Sequence, residues 1–500
     1  MEATLKKRSV SKYSMVFSTE FTGDSSTEAV VPDVLPDISD ILFATGMVLL
    51  RSKTTEDGKV SLSASVSASV VYSPENETGL NCLHLTMPFD AEAESADISA
   101  ECRTTAEIKL VSIEARMINT RKVSVRAEVS ININCYAPDT LALVEDVEAP
   151  PEVSLHIKKE ELEFSLISDV RERTFVISDE YILPSGSREI REILSPAPAV
   201  RVDDIKVLGN KLVVRGVCQS HLLCACEDGA ETEQISFSTN FSQMIEMEDI
   251  GEDPDISYRL MMTAAYYEPV KTSEQKCTVS MELHMVIQAV CSRAERAELV
   301  SDMYSNKCEC SFESRSDDLP VIVRRQTLRS TVIETIRTPV PAAETVYVEA
   351  RVTSVSGRTA GIAVNGLYID EDGRFRALKG SFTAEFETEL EADMELVADM
   401  VCVTEAFASP AAEGVEIRVP VELEAVIMRR QTAAVPTQPQ LSERECCADA
   451  PSLILIPVSE SADLWQIAKR YGSTRELIEQ ANCLEGESAD ISMLLIPREP

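Results

Sequence analysis

His221, Cys224 and Cys226 stand close together in the chain, and an imidazole beside two thiolates is a donor set that suits zinc. The phase of their segment separates them. Apolar residues alternate there at period two, so even-numbered positions share one face of a strand: Cys218, Cys224 and Cys226 point inward and His221 points the other way. Buried thiols packed as small apolar groups are expected. Cys308-Glu-Cys310 and Cys446-Cys447 lack C-x-x-C spacing and a neighbouring His, which leaves oxidation or cross-linking as their special chemistry. Asp370-Glu-Asp372-Gly373 opens like a calcium loop, yet Ser381 occupies the position that needs a bidentate Glu, so a hairpin turn is expected. The four histidines, at 84, 156, 221 and 284, are scattered, and no nucleophile elbow, P-loop or dinucleotide fingerprint occurs. The expectation is a non-enzymatic chain with no catalytic residues, cofactor or metal.

Without a reaction to position, the elements are read for what they bury and bind. At 500 residues the chain calls for three or four cores, and 44% hydrophobic residues can supply them. Lys and Arg number 47 against 84 Asp and Glu, a formal charge of −37. That field repels nucleic acid and anionic headgroups, so neither is expected as a partner. The N-terminal trio Lys6-Lys7-Arg8 is not followed by an apolar run, so no secretion signal is expected, and no stretch approaches the roughly 18 apolar residues of a membrane span. A soluble protein kept in the cytoplasm is expected, with its 14 cysteines free.

Alternation is clearest in Val60 to Val70, where every even position is apolar, and in Val123 to Cys135, where every odd one is. Both read as strands with one wet face. The pair returns downstream: Lys211 to Cys224 matches Lys59 to Tyr72 at an offset of 152 residues, Phe241 matches Phe89 at the same offset, and Val279 to Cys291 repeats the closing strand. A third copy pairs Tyr368 with Tyr72, Phe386 with Phe89, and Val415 to Ala425 with the closing strand, where Pro420 predicts an edge or a bulge. Entries such as Pro32 to Leu42 and Leu183 to Leu194 predict a short helix or bend. The resulting boundaries are 1–145, 152–296 and 305–432 for three tandem domains, with a Pro-containing linker over 433–452.

Residues 453–497 form a separate unit. Leu453 to Pro457 and Met493 to Pro497 are strand-sized apolar runs with two helix-sized segments between them. Asp463 suits the cap of the first helix, which places Leu464, Ile467, Ala468 and Tyr471 on one face and stops at Gly472. Ser473-Thr-Arg-Glu476 reads as a capping box for the second, with Leu477, Ile478 and Ala481 inward and Asn482 at its end. Trp465, the only tryptophan, braces the helix pair.

Two resemblances rest on these residues. The repeats resemble the SPOCS domain of endospore-forming bacteria, through Val31-Pro32 to Leu42, Gly58 to Tyr72, Pro88-Phe89 and Arg121-Lys122-Val123; the second copy carries Cys224 in place of the Tyr. Residues 464–472, Asn482 and Leu494 to Pro497 resemble a LysM domain, with Ser461-Ala462-Asp463 and Ile491-Ser492-Met493 where that family has its glycan-groove loops. The fold class implied is mainly β: three tandem antiparallel SPOCS-like domains and a small βααβ LysM-like domain. SPOCS repeats before a LysM resemble the SipL-type morphogenetic proteins of clostridial sporulation. That resemblance implies an adapter in the mother-cell cytoplasm at the forespore surface, building the spore coat. Its LysM would engage the coat ATPase, stage IV sporulation protein A, while the repeats add valency or self-association. The alternative is a cell-wall protein that binds peptidoglycan. Asp463, Leu464, Trp465, Ile467, Arg470, Tyr471 and Asn482 are the expected partner- or glycan-binding residues.

Overall fold

The computed structural model describes residues 3–75, 78–184, 186–227, 231–251, 253–271, 277–403, 405–443, 451–458, 463–484 and 493–498. Of the described residues 78% are strand and 4% helix, as the mainly-β reading requires. In the first unit β1 (Thr4–Val30), β2 (Ile38–Glu56), β3 (Lys59–Pro74), β4 (Asn81–Glu94), β5 (Arg103–Asn119) and β6 (Lys122–Glu148) make two sheets, a meander β2-β3-β4 and a sheet β1-β6-β5. The even residues of β3 and the odd residues of β6 face each other as its core.

The second unit repeats this order with β7 (Leu155–Ile182), β8 (Ile190–Leu208), β9 (Lys211–Cys226), β10 (Thr232–Glu246), β11 (Asp255–Lys271) and β12 (Cys277–Ser305). One bridge, Tyr13 to Ile167, joins β1 to β7 and makes a single six-stranded sheet of the two larger ones. In the third unit the outer strands are divided. It comprises β13 (Cys308–Asp318), β14 (Val321–Arg337), β15 (Ala342–Ser356), β16 (Thr359–Asp370), β17 (Phe375–Glu385), β18 (Met394–Val403), β19 (Phe407–Ala411), β20 (Gly414–Arg429) and β21 (Thr432–Glu443).

Register ties the three meanders together. The β2–β3 ladder slips between Ile38 and Asp40, Ile41 and Phe43, and Leu50 and Ser52; β8–β9 slips at the positions 152 residues on, and β15–β16 between Ala342 and Glu344, Thr345 and Tyr347, and Val352 and Ser354. Each slip is a bulge that adds twist and bends the strand. Tyr72, Cys224 and Tyr368 all lie opposite the second bulge. The same register corrects the Phe386 match: Ala64 faces Phe89 and Gly216 faces Phe241, while Ala360 faces Ala384.

Equivalent residues on the outer faces of the meanders meet in one cluster. Leu42 gathers with Leu194 and Val346, and Val71 with Leu223 and Leu367; the rings of Phe43 and Tyr347 stack at 5.9 Å. A second shared core forms where β1 with β6, β7 with β12, and β13 with β21 continue as two-stranded ribbons, joining Val10 and Leu143, Phe164 and Val300, and Leu319 and Val435.

These ribbons overturn several expectations. Residues 433–443 of the expected linker are strand, paired with β13; 444–450, with Cys446 and Cys447, lie outside the described residues. Strand β12 runs to Ser305, past the expected boundary at 296. The entry segments, expected as a short helix or bend, take the bend: Leu35 N–H bonds Pro32 O at 2.9 Å and Ser187 N–H bonds Pro184 O at 3.1 Å, and bulged strands follow. Pro420 lies in a central strand, β20. On one side β18 pairs from Val421 onward and β19 up to Arg418, and the missing N–H falls in the gap between them.

Candidate functional site

The tail consists of β22 (Leu453–Pro457), α1 (Leu464–Tyr471), α2 (Arg475–Ala481) and β23 (Met493–Pro497), with the two strands antiparallel. Asp463 caps α1 by accepting from Trp465 N–H at 2.9 Å, and Gly472, in the left-handed region at φ 69°, ends it. The cap of α2 is Thr474, which accepts from Leu477 N–H at 3.1 Å. Ser473, expected to open a capping box, is instead fully buried and donates to Pro497 O. Ala468, Ile478, Leu494 and Ile496 form the centre of the module together with Tyr304 of β12, while Ala481, expected inward, is exposed. Asn482 works as a clip: its amide donates to Ile478 O at 2.8 Å and to Leu495 O, and its carbonyl accepts from Leu495 N–H at 2.8 Å.

Of the residues expected to meet a partner, Asp463 and Arg470 are exposed, Leu464, Trp465, Ile467 and Tyr471 are half-buried, and Asn482 is used in that clip. Ser461, Ala462, Ile491 and Ser492 of the loops compared with a glycan groove lie outside the described residues. Trp465 does more than brace its helices. Its indole N–H donates to Asp302 Oδ2 at 2.8 Å, and its ring meets Tyr304 edge-on at 4.8 Å, both on β12 of the second unit. Lys469 Nζ reaches the other Asp302 oxygen at 2.6 Å and sits 5.5 Å above the Phe312 ring. Ser473 O accepts from Tyr304 O–H and from the Asn306 amide, each at 3.0 Å. Asp302 follows a bulge in β12, between Val300 and Asp302, a device that re-aims a side chain. These body residues had no signal in the sequence, because each acts on a residue far along the chain.

The chemically suggestive groups are absorbed by packing. Cys218, Cys224 and Cys226 are buried; burial pushes the Cys218 thiol up to about 11 and Cys224 higher still, which disfavours thiolate. His221 lies on the opposite face, 2.9 Å from Ser236 Oγ, with its pKa lowered by burial. Asp370 accepts from the N–H groups of Asp372 and Arg374 at 3.0 and 2.9 Å and from Arg376 Nε at 2.8 Å. Those bonds hold its carboxyl below the usual range and tie it into the hairpin turn. Among the described residues no group of three or more His, Cys, Asp and Glu is arranged to hold a metal, and no helix is long and apolar enough to cross a membrane.

Residues 37–118 match the family model described as SipL, SPOCS domain. The match runs from β2 into β5 of the first unit, and so supports the SPOCS resemblance there on independent grounds. No curated protein and no solved structure matches the chain.

Proposed function

We propose that the chain is a non-enzymatic adapter of spore-coat assembly, working in the mother-cell cytoplasm at the forespore surface. On this reading all three units are SPOCS-like, the tail is a LysM-like docking module, and its partner is the coat ATPase, stage IV sporulation protein A. The SPOCS match at residues 37–118 is the observation that carries it. The recurring bulges extend the likeness to the other two units, and the capped helix pair clipped by Asn482 supports a rigid module. The outer meander faces are spent on one another, which leaves the tail as the better docking element.

Co-sedimentation tests the reading. The purified chain is expected to pellet with filaments of the coat ATPase and to lose that partner when residues 451–500 are removed. Pelleting with peptidoglycan sacculi and not with the ATPase overturns it in favour of a wall-binding protein. A fluorescent fusion is expected to form a ring at the forespore in a sporulating host, and a vegetative wall signal counts against it.

A further inference from the structure

Among the described residues no strand of the tail pairs with the body, and its two strands form their own sheet. What holds the tail is a small seat at the end of β12, in which Tyr304, only 4% exposed, joins the tail's own apolar core and the other contacts are polar. Asp302 receives both the Trp465 indole N–H and the Lys469 ammonium, Tyr304 packs edge-on against Trp465, and Tyr304 and Asn306 both donate to Ser473 O. Lys469 retains 35% side-chain exposure and Asp302 15%, so solvent screens their ion pair from the lysine side. Trp465 is one of the residues expected to meet a partner, and it cannot contact the body and a partner through one face at once.

We infer that the body masks the tail: Asp302 and Tyr304 hold the Trp465 face of the module in a closed state, and partner engagement requires its release. The inference rests on the docking reading above and supplies its regulation. A ligand that binds the open state alone has its apparent affinity reduced by the fraction of open molecules, so weakening the seat strengthens binding. Asp302 governs this balance because one carboxylate serves two donors on α1.

Trp465 is the sole tryptophan, so its emission reports on the seat in the full-length chain. Asp302→Lys sets a second cation against Lys469 and removes the acceptor of the indole N–H. Its emission is expected to shift to the red, with greater quenching by acrylamide, and its affinity for the purified coat ATPase to rise about fivefold or more. Asp302→Asn keeps an acceptor and loses the charge, and is expected to fall between Lys and wild type. Unchanged emission and quenching in both variants overturns the seat. A red shift with unchanged or weaker ATPase binding overturns the masking, whereas failure of every chain, wild type included, to bind the ATPase overturns the docking reading and the masking with it.

Discussion

Asn482 ends helix α2 and holds strand β23 with a single amide, donating to Ile478 O and Leu495 O while accepting from Leu495 N–H. Asn482→Ala leaves those backbone groups without their partner, at a cost of about 1–3 kcal/mol to the module. Unfolding followed by Trp465 emission is expected to shift to lower denaturant while the far-ultraviolet signal of the sheets stays in place; coincident shifts of both signals count against a module that unfolds by itself. The short-range devices of the tail were legible in the sequence: a cap at Asp463 and a left-handed stop at Gly472 depend on neighbours within a turn. The α2 cap was displaced by one residue because Ser473 has a better acceptor in Pro497 O, which sequence proximity does not reveal. The Trp465 bond to Asp302 spans 163 positions, and a lone Asp in an acid-rich chain carries no mark of such a role.

At the scale of the element, alternation sufficed where one face of a strand is buried and the other wet, as in β3, β6, β9 and β12. It failed in the ribbons. Segments such as Lys158 to Glu163 carry charges on both faces, because a two-stranded ribbon packs only part of its surface, and their period-two signal is lost. The prolines of 433–452 signal a linker, yet Pro436 and Pro439 lie in β21, a strand with a single partner where a missing N–H can face away from the ladder. Gly216 shows a constraint that only the paired element exposes. It lies opposite Phe241, and a Cβ there would come within 2.2 Å of the backbone oxygen of Arg201 and 2.6 Å of the ring. Gly216→Ala is expected to destabilise the second unit by about 1–3 kcal/mol through overpacking. Denaturant titration of the variant checks this, and an unchanged midpoint shows that both the ring and the β8 backbone at Arg201 give way freely.

The units are joined by charge as well as by apolar contact. Asp399, on β18, accepts from Arg259 of β11 at 2.6 Å and from Arg325 of β14, and Arg325 also pairs with Asp255 at 2.9 Å. Burial favours the neutral Asp399, but the two guanidinium groups outweigh it and hold the carboxyl below its ordinary range. Its contribution is therefore present above the unfolded carboxylate pKa and lost as pH falls through the lower folded value. Asp399→Asn takes the shared anion from two partly buried cations, of which Arg325 keeps Asp255, and is expected to cost about 3 kcal/mol near neutrality. Glu424 has the opposite sign: burial raises its pKa, so its folded form favours the proton and its ionisation weakens the junction as pH rises through that raised value. Glu424→Gln keeps an acceptor for Tyr258 O–H, which lies 3.0 Å away, and removes the buried charge. Thermal unfolding is expected to show the variant more stable than wild type at pH 7.5, with the difference gone under acid; the reverse order at pH 7.5 sinks the assignment. The apolar junction makes a separate demand. Tyr347 is almost fully buried between Phe43 of the first unit and Ser195 of the second, while each unit keeps a core of its own behind it. Tyr347→Ala opens a void at a point where all three meanders meet, at a cost of about 3–5 kcal/mol, and spares those individual cores. Cooperativity should fall with it. Calorimetry is expected to give one transition for the wild-type body, and for the variant a broadened or divided one whose van't Hoff enthalpy falls below the calorimetric value. If the variant keeps a single sharp transition at lower temperature, the ribbons alone couple the units and the junction only adds stability.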